Sequence, residues 1–127
     1  MASIPETQED VHRHHLMAVC GLASDVGTGT TSSSAVTVND YVCKITTEAL
    51  TTAQNAIETI TLTNSKIAAT DLVFVTVANG TNTQGTAMVG EVTPAAGSCT
   101  IQVINKHASS EAFNGTLIVG VFVVKVL

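Results

Sequence analysis

The sequence predicts an all-β fold, an antiparallel β-sandwich of jelly-roll type preceded by an extended N-terminal arm. Apolar residues alternate with polar ones through most of residues 36 to 127, and turn dipeptides interrupt that alternation at short intervals. Hydrophobic residues make up 45% of the chain while aromatics make up only 3% and charged residues 12%. A core built from so many small β-branched side chains suits two closely stacked sheets. At 127 residues a single domain is expected, and a chain of this size buries roughly 65% of the surface its unfolded form exposes.

Composition divides the chain into three parts. Residues 1–20 form the arm: MASIPETQEDVHRHH is polar and acidic, with Ser3, Ile4, Pro5 and Glu6 as a start signal before Thr7 to His15, and LMAVCGLA reads as a short first strand. Residues 21–35, which include SDVGTGTTSSSA, have no apolar face and read as a loop or tether. Residues 36–127 carry the sandwich.

Within that domain several strands show one buried and one wet face. In VCKITTEAL, Cys43, Ile45, Thr47 and Ala49 alternate with Lys44, Thr46 and Glu48. In AIETITLT, Ile60 and Leu62 oppose Ile57, Thr59, Thr61 and Thr63; in SCTIQVIN, Cys99, Ile101 and Val103 oppose Thr100 and Gln102. Turn chemistry lies between them at Asn64-Ser65, Asn79-Gly80, Gly85, Pro94 with Gly97, and Asn114-Gly115. These signals predict about seven or eight strands.

Two segments are apolar on both faces. LVFVTVA sets Leu72 and Phe74 against Val73, Val75 and Val77, and LIVGVFVVKVL sets Leu117, Val119, Val121 and Val123 against Ile118, Phe122, Val124 and Val126. A sandwich strand needs one apolar face, so a neighbouring subunit is expected to cover the other. Val73, Val75, Val77, Phe122, Val124 and Val126 are the expected contact residues.

Several function classes are disfavoured. The net charge of −5 leaves Arg13, Lys44, Lys66, Lys106 and Lys125 scattered, with Tyr41 the one tyrosine and no tryptophan, so no cationic groove or stacking platform for nucleic acid is indicated. No apolar run reaches the ~20 residues of a spanning helix, and the acidic N-terminus is unlike a secretory leader. No membrane partner is expected. Cys20, Cys43 and Cys99 are odd in number and far apart, which fits buried thiols in a reducing compartment, with a Cys43 to Cys99 bridge as the alternative.

Two clusters invite sharper readings. Glu9, Asp10, His12, His14 and His15 are ligand-type residues, and on a strand His12 and His14 share a face as a metal pair would. They sit in a terminal arm without a scaffold, so a polar or pH-sensitive contact segment is the plainer reading and no cofactor is expected. His107 with Ser109, Ser110 and Glu111 suggests a Ser/His/acid set, yet the stretch lacks a nucleophile elbow, and a loop histidine bonded to local backbone is preferred. No catalytic motif stands in the chain, and no enzyme is expected.

Residues 50 to 124 resemble a β-sandwich module of bacteriophage structural proteins, notably capsid decoration (cement) proteins and domains of tail or fibre proteins. The marks are Leu62-Thr63-Asn64-Ser65, Asn79-Gly80-Thr81-Asn82, Val92-Thr93-Pro94, Ala96-Gly97-Ser98, Asn105 with His107, and Asn114-Gly115-Thr116. The resemblance implies a virion component, made in the host bacterial cytoplasm and lying on the capsid surface, with the major capsid protein and copies of itself as partners. One module behind a short arm fits decoration of the head better than a complete fibre. In that role the arm would cross a neighbour, with Ile4, Val11 and Leu16 as anchors and Glu6, Glu9, Asp10 and His12 as polar contacts, while the two-faced strands pack subunit on subunit in a homotrimer. A host-binding adhesin of tail fibre or spike is the alternative, weakened by the scarcity of aromatic residues.

Overall fold

The computed structural model describes residues 25–127, and among them eight strands and no helix occur. In chain order they are β1 (Gly27–Thr30), β2 (Ala35–Thr37), β3 (Val42–Thr46), β4 (Ile57–Thr63), β5 (Leu72–Asn79), β6 (Ala87–Ala95), β7 (Ser98–Asn105) and β8 (Leu117–Val124). Two four-stranded sheets, β1-β3-β8-β5 and β2-β4-β7-β6, pack as a β-sandwich. The alternation expected from the sequence is what buries the core. Ile45, Leu117, Val119, Val121 and Val123 project from the first sheet onto Ile60, Leu62, Cys99, Ile101 and Val103 of the second, with Phe113 and Ile67 contributed by loops. At ~25 cal/mol per Å² such aliphatic burial supplies most of the driving force.

The sheets are mixed, not purely antiparallel. β1 pairs with β3 and β2 with β4 in parallel register, whereas β3, β5 and β8, and β4, β6 and β7, pair antiparallel. The reason is connectivity. The first six strands alternate between the two sheets, so the link between β1 and β3 passes through β2 on the opposite layer, and a link of that kind returns the chain in the same direction. A single tight hairpin joins β6 to β7, with Ala95 opposite Ser98. Gly97 there has φ +76° and nothing within 4 Å of where a Cβ would stand, so backbone conformation alone calls for glycine.

Residues 27–30, expected within a loop, form a strand. Thr28 and Thr30 face solvent, while the inward positions are glycines whose missing side chains make room for the core. A Cβ on Gly29 would lie 2.7 Å from Val36 Cγ2, and one on Gly27 would lie 2.6 Å from Val38 Cγ1. Hydropathy cannot register a strand whose buried face is empty. A smaller correction concerns Ala49, expected on the buried face of the third strand but exposed, because β3 ends at Thr46.

Candidate functional surface

Two of the asparagines singled out in the sequence are buried, and other motif residues tie exposed turns together. Asn105, fully buried, donates through Nδ2 to Thr52 O at 3.0 Å and Glu111 O at 2.7 Å, and its Oδ1 accepts from the backbone N–H groups of Thr86 and His107. Asn64 is likewise buried, donating to Asp40 O at 2.7 Å and accepting from Lys66 N at 3.0 Å. The turns Asn79–Asn82 and Asn114–Thr116 are knitted together reciprocally. Thr81 N donates to Thr116 Oγ1 and Thr116 N to Thr81 Oγ1, both at 2.9 Å, while Asn114 N donates to Asn82 Oδ1 at 2.8 Å. Each side chain does the work of a missing ladder bond at the end of the sandwich.

His107 lies in the loop after β7. Its Nδ1 accepts from Ser109 N at 3.2 Å, with Ser109 Oγ at the same distance, and its Nε2 is 3.8 Å from Glu111 Oε1. Glu111 Oε1 in turn accepts from Gly85 N at 2.7 Å. Glu111 thus ties this loop to the β5–β6 connection. A second polar knot gathers around Ser34: Glu48 accepts from the N–H groups of Ser33 and Ser34 at 2.7 and 2.6 Å, and Glu58 accepts from Ser34 Oγ. Ser33 and Ser34 have φ of 50° and 59°, so two adjacent N–H groups converge on one carboxylate, the concave arrangement that favours an anion. Glu48 fills it.

Cys43 and Cys99 are free and buried. Burial, reinforced by the nearby Asp40 carboxylate, pushes the Cys43 thiol up to about 11, and burial raises that of Cys99 as well. Neither has the thiolate character of a nucleophile or metal ligand at neutral pH.

Apolar side chains open to other molecules stand on the outer faces of both sheets: Ile57 and Met88, each 51% exposed, flank Ile104 on the second, and a group containing two aromatic rings lies on the first. Register places Val42, Phe122 and Phe74 in one row across β3, β8 and β5, with Leu72 and Val124 in the next. Strands about 4.8 Å apart bring these side chains into one patch, and the Phe74 and Phe122 rings tilt at 31° with centroids 6.0 Å apart. Leu72 is 53% and Phe74 55% exposed. Tyr41, beneath Lys66 Nζ at 5.4 Å, and Val126 are also exposed. The following row, Thr76, Gly120 and Lys44, closes the patch with small and polar groups.

Phe122 and Val124 lie on the outer side of the first sheet, half-buried, and Val126, past the end of β8, is exposed. Val73, Val75 and Val77 do not share that side: they face inward and pack, half-buried, against the core. The outward residues of β5 are Leu72 and Phe74, and the signal was available. Thr76 and Ala78 share their face, whereas the other face is uninterrupted valine. The arm residues Ile4, Glu6, Glu9, Asp10, Val11, His12, His14 and Leu16 lie outside the described residues, as does Cys20. Among the described residues no helix is long and apolar enough to cross a membrane.

No protein-family model, curated protein or solved structure matches this chain.

Proposed function

We propose that this protein is a structural virion component that decorates a bacteriophage capsid, bridging neighbouring capsid subunits and associating with copies of itself. The observation that carries the reading is the apolar row of Leu72, Phe74, Phe122 and Val124 on the outer face of the first sheet, with Leu72 and Phe74 exposed and Phe122 and Val124 half-buried beside them. Exposed aromatic and aliphatic side chains in register across adjacent strands lose stabilisation to water unless another surface covers them. A decorating protein gains that cover from the shell, and many copies act together, so each contact can be modest. The resemblance of residues 50 to 124 to phage sandwich modules supports the same role. The arm, with Ile4, Val11 and Leu16 as anchors, extends the contact across a neighbour.

Co-sedimentation with purified expanded capsids tests the proposal. The wild-type chain is expected to pellet with capsids, and Phe74→Glu combined with Phe122→Ser to weaken pelleting at least about tenfold, as for loss of a central hydrophobic anchor. Binding to host cells without capsid affinity would sink the decoration role in favour of the adhesin.

A further inference from the structure

The four edges of the sandwich are not equally protected. β1 and β2 are short, at 4 and 3 residues. β6 is long but carries Glu91, Pro94 and a register shift between Val89 and Val92, three devices that discourage another strand from adding. β5 has none of these. Its eight residues, LVFVTVAN, contain no charge and no proline, and they pair with β8 without interruption.

The orientation of its free backbone groups follows from the ladder. Val123 N donates to Tyr41 O, and Leu117 O accepts from Thr47 N, so the odd-numbered residues of β8 direct N–H and C=O toward β3 and the even-numbered ones toward β5. Phe74 is opposite Phe122 and Thr76 opposite Gly120, so the even residues of β5 exchange bonds with β8. Val73, Val75 and Val77 thus turn their N–H and C=O groups to the open edge. Among the described residues no hydrogen bond outside the ladders reaches them. Their side chains are half-buried, where the matching residues of β8 are 0 to 2% exposed.

We infer that β5 is a self-pairing edge, adding antiparallel to β5 of a second copy about a two-fold axis at Val75. In that register Val75 stands opposite Val75 of the other copy and Val73 opposite Val77, so each pair joins residues whose backbone groups both point outward and can exchange both bonds. Face parity is preserved: valine meets valine on the inner side, and Phe74 meets Thr76 on the outer. No like charges are opposed, which matters for a chain of net charge −5. The sheet becomes continuous through both copies, the valines gain cover, and the two outward patches of Leu72, Phe74, Phe122 and Val124 lie on the same side as one platform. A contact of this kind closes at two copies, a dimer in place of the trimer expected from sequence. The inference rests on the self-association proposed above but not on the capsid, so dimerisation without capsid binding leaves it standing.

Light scattering after size exclusion, with hydrogen exchange read by NMR, provides the test. The full chain is expected to be a dimer at about 100 μM, with the amides of Val73, Val75 and Val77 protected more strongly as concentration rises. Val75→Pro removes an edge donor while sparing every β5–β8 bond, and is expected to raise the dimer dissociation constant about tenfold or more with an unchanged circular dichroism spectrum. Phe74→Ser, on the outer face, should leave the dimer in place. A monomer at that concentration, a dimer that survives Val75→Pro in a folded chain, or exchange at the three valines that is independent of concentration would overturn the inference. Should Val75→Pro fail to fold, wild-type exchange alone decides. Protection that arises only on capsids would assign the edge to a shell subunit and overturn it equally.

Discussion

Asn105 illustrates how a single polar side chain can hold several loops. It binds the carbonyls of Thr52 and Glu111 and the N–H groups of Thr86 and His107, segments with no ladder of their own at that end of the molecule. Asn105→Leu would take one bond from the Thr52 carbonyl, which keeps Phe113 N, and would remove this partner from Glu111 O and from the N–H groups of Thr86 and His107, with an expected loss of about 2–4 kcal/mol in urea unfolding. The sequence marks Asn64 as a turn residue, yet it gives no sign that it or Asn105 is buried, because the carbonyls that satisfy them arrive from distant loops. The thiols behave as the sequence suggests. In a Cys20→Ser background, Cys43 and Cys99 are expected to be silent toward a disulfide reagent in the folded chain and to titrate fully in denaturant; rapid reaction of the native protein would contradict their burial.

At the scale of elements, antiparallel strands with clear alternation are legible and the others are not. β4 and β7 follow from period two, since Ile60, Leu62, Ile101 and Val103 occupy the predicted inner face. β1 escapes because Gly27 and Gly29 present nothing to count. The parallel pairings escape because register between strands distant in sequence leaves no local trace. β5 was recognisable as a strand but its faces were ambiguous until Thr76 and Ala78 are weighed with Leu72 and Phe74. The end of β8 is secured by an ion pair, Lys125 Nζ to Asp71 Oδ2 at 2.5 Å, with Asp71 also accepting from Ala68 N at 2.8 Å. The bond from Lys125 holds the Asp71 carboxyl below its ordinary value of 3.8, and the Ala68 N–H adds to this. A depressed carboxylate contributes stability above its unfolded value and loses it as pH falls through the folded one. Lys125→Met should therefore reduce stability at neutral pH and flatten the acid limb of a urea-midpoint profile below about pH 4; an unchanged limb would mean the pair contributes nothing.

For the whole molecule, the sequence predicts two strands apolar on both faces, and the structure assigns the faces of one of them, β5, differently from expectation. Valines 73, 75 and 77 were expected to meet a neighbour through their side chains. They line the core instead, and it is their backbone that faces outward. The outward apolar side chains of β5 and β8 include Leu72 and Phe74, which are exposed, and Phe122 and Val124, which are half-buried. Distinguishing the two required knowing which strand lies beside β5 and which side of it is empty. The outcome is a molecule in which an aromatic patch and an unguarded edge meet along the same strand, so a variant that alters either can be separated from one that alters both.

The place of β8 has a consequence for synthesis. This strand sits between β3 and β5, and every antiparallel partner in its sheet is reached through it. Until residues 117–124 have left the ribosome, β3 and β5 have no common neighbour, and half of the core lacks Leu117, Val119, Val121 and Val123. Nascent chains that stall earlier should remain protease-sensitive along most of their length, and the fold should appear in one late event as translation passes this segment.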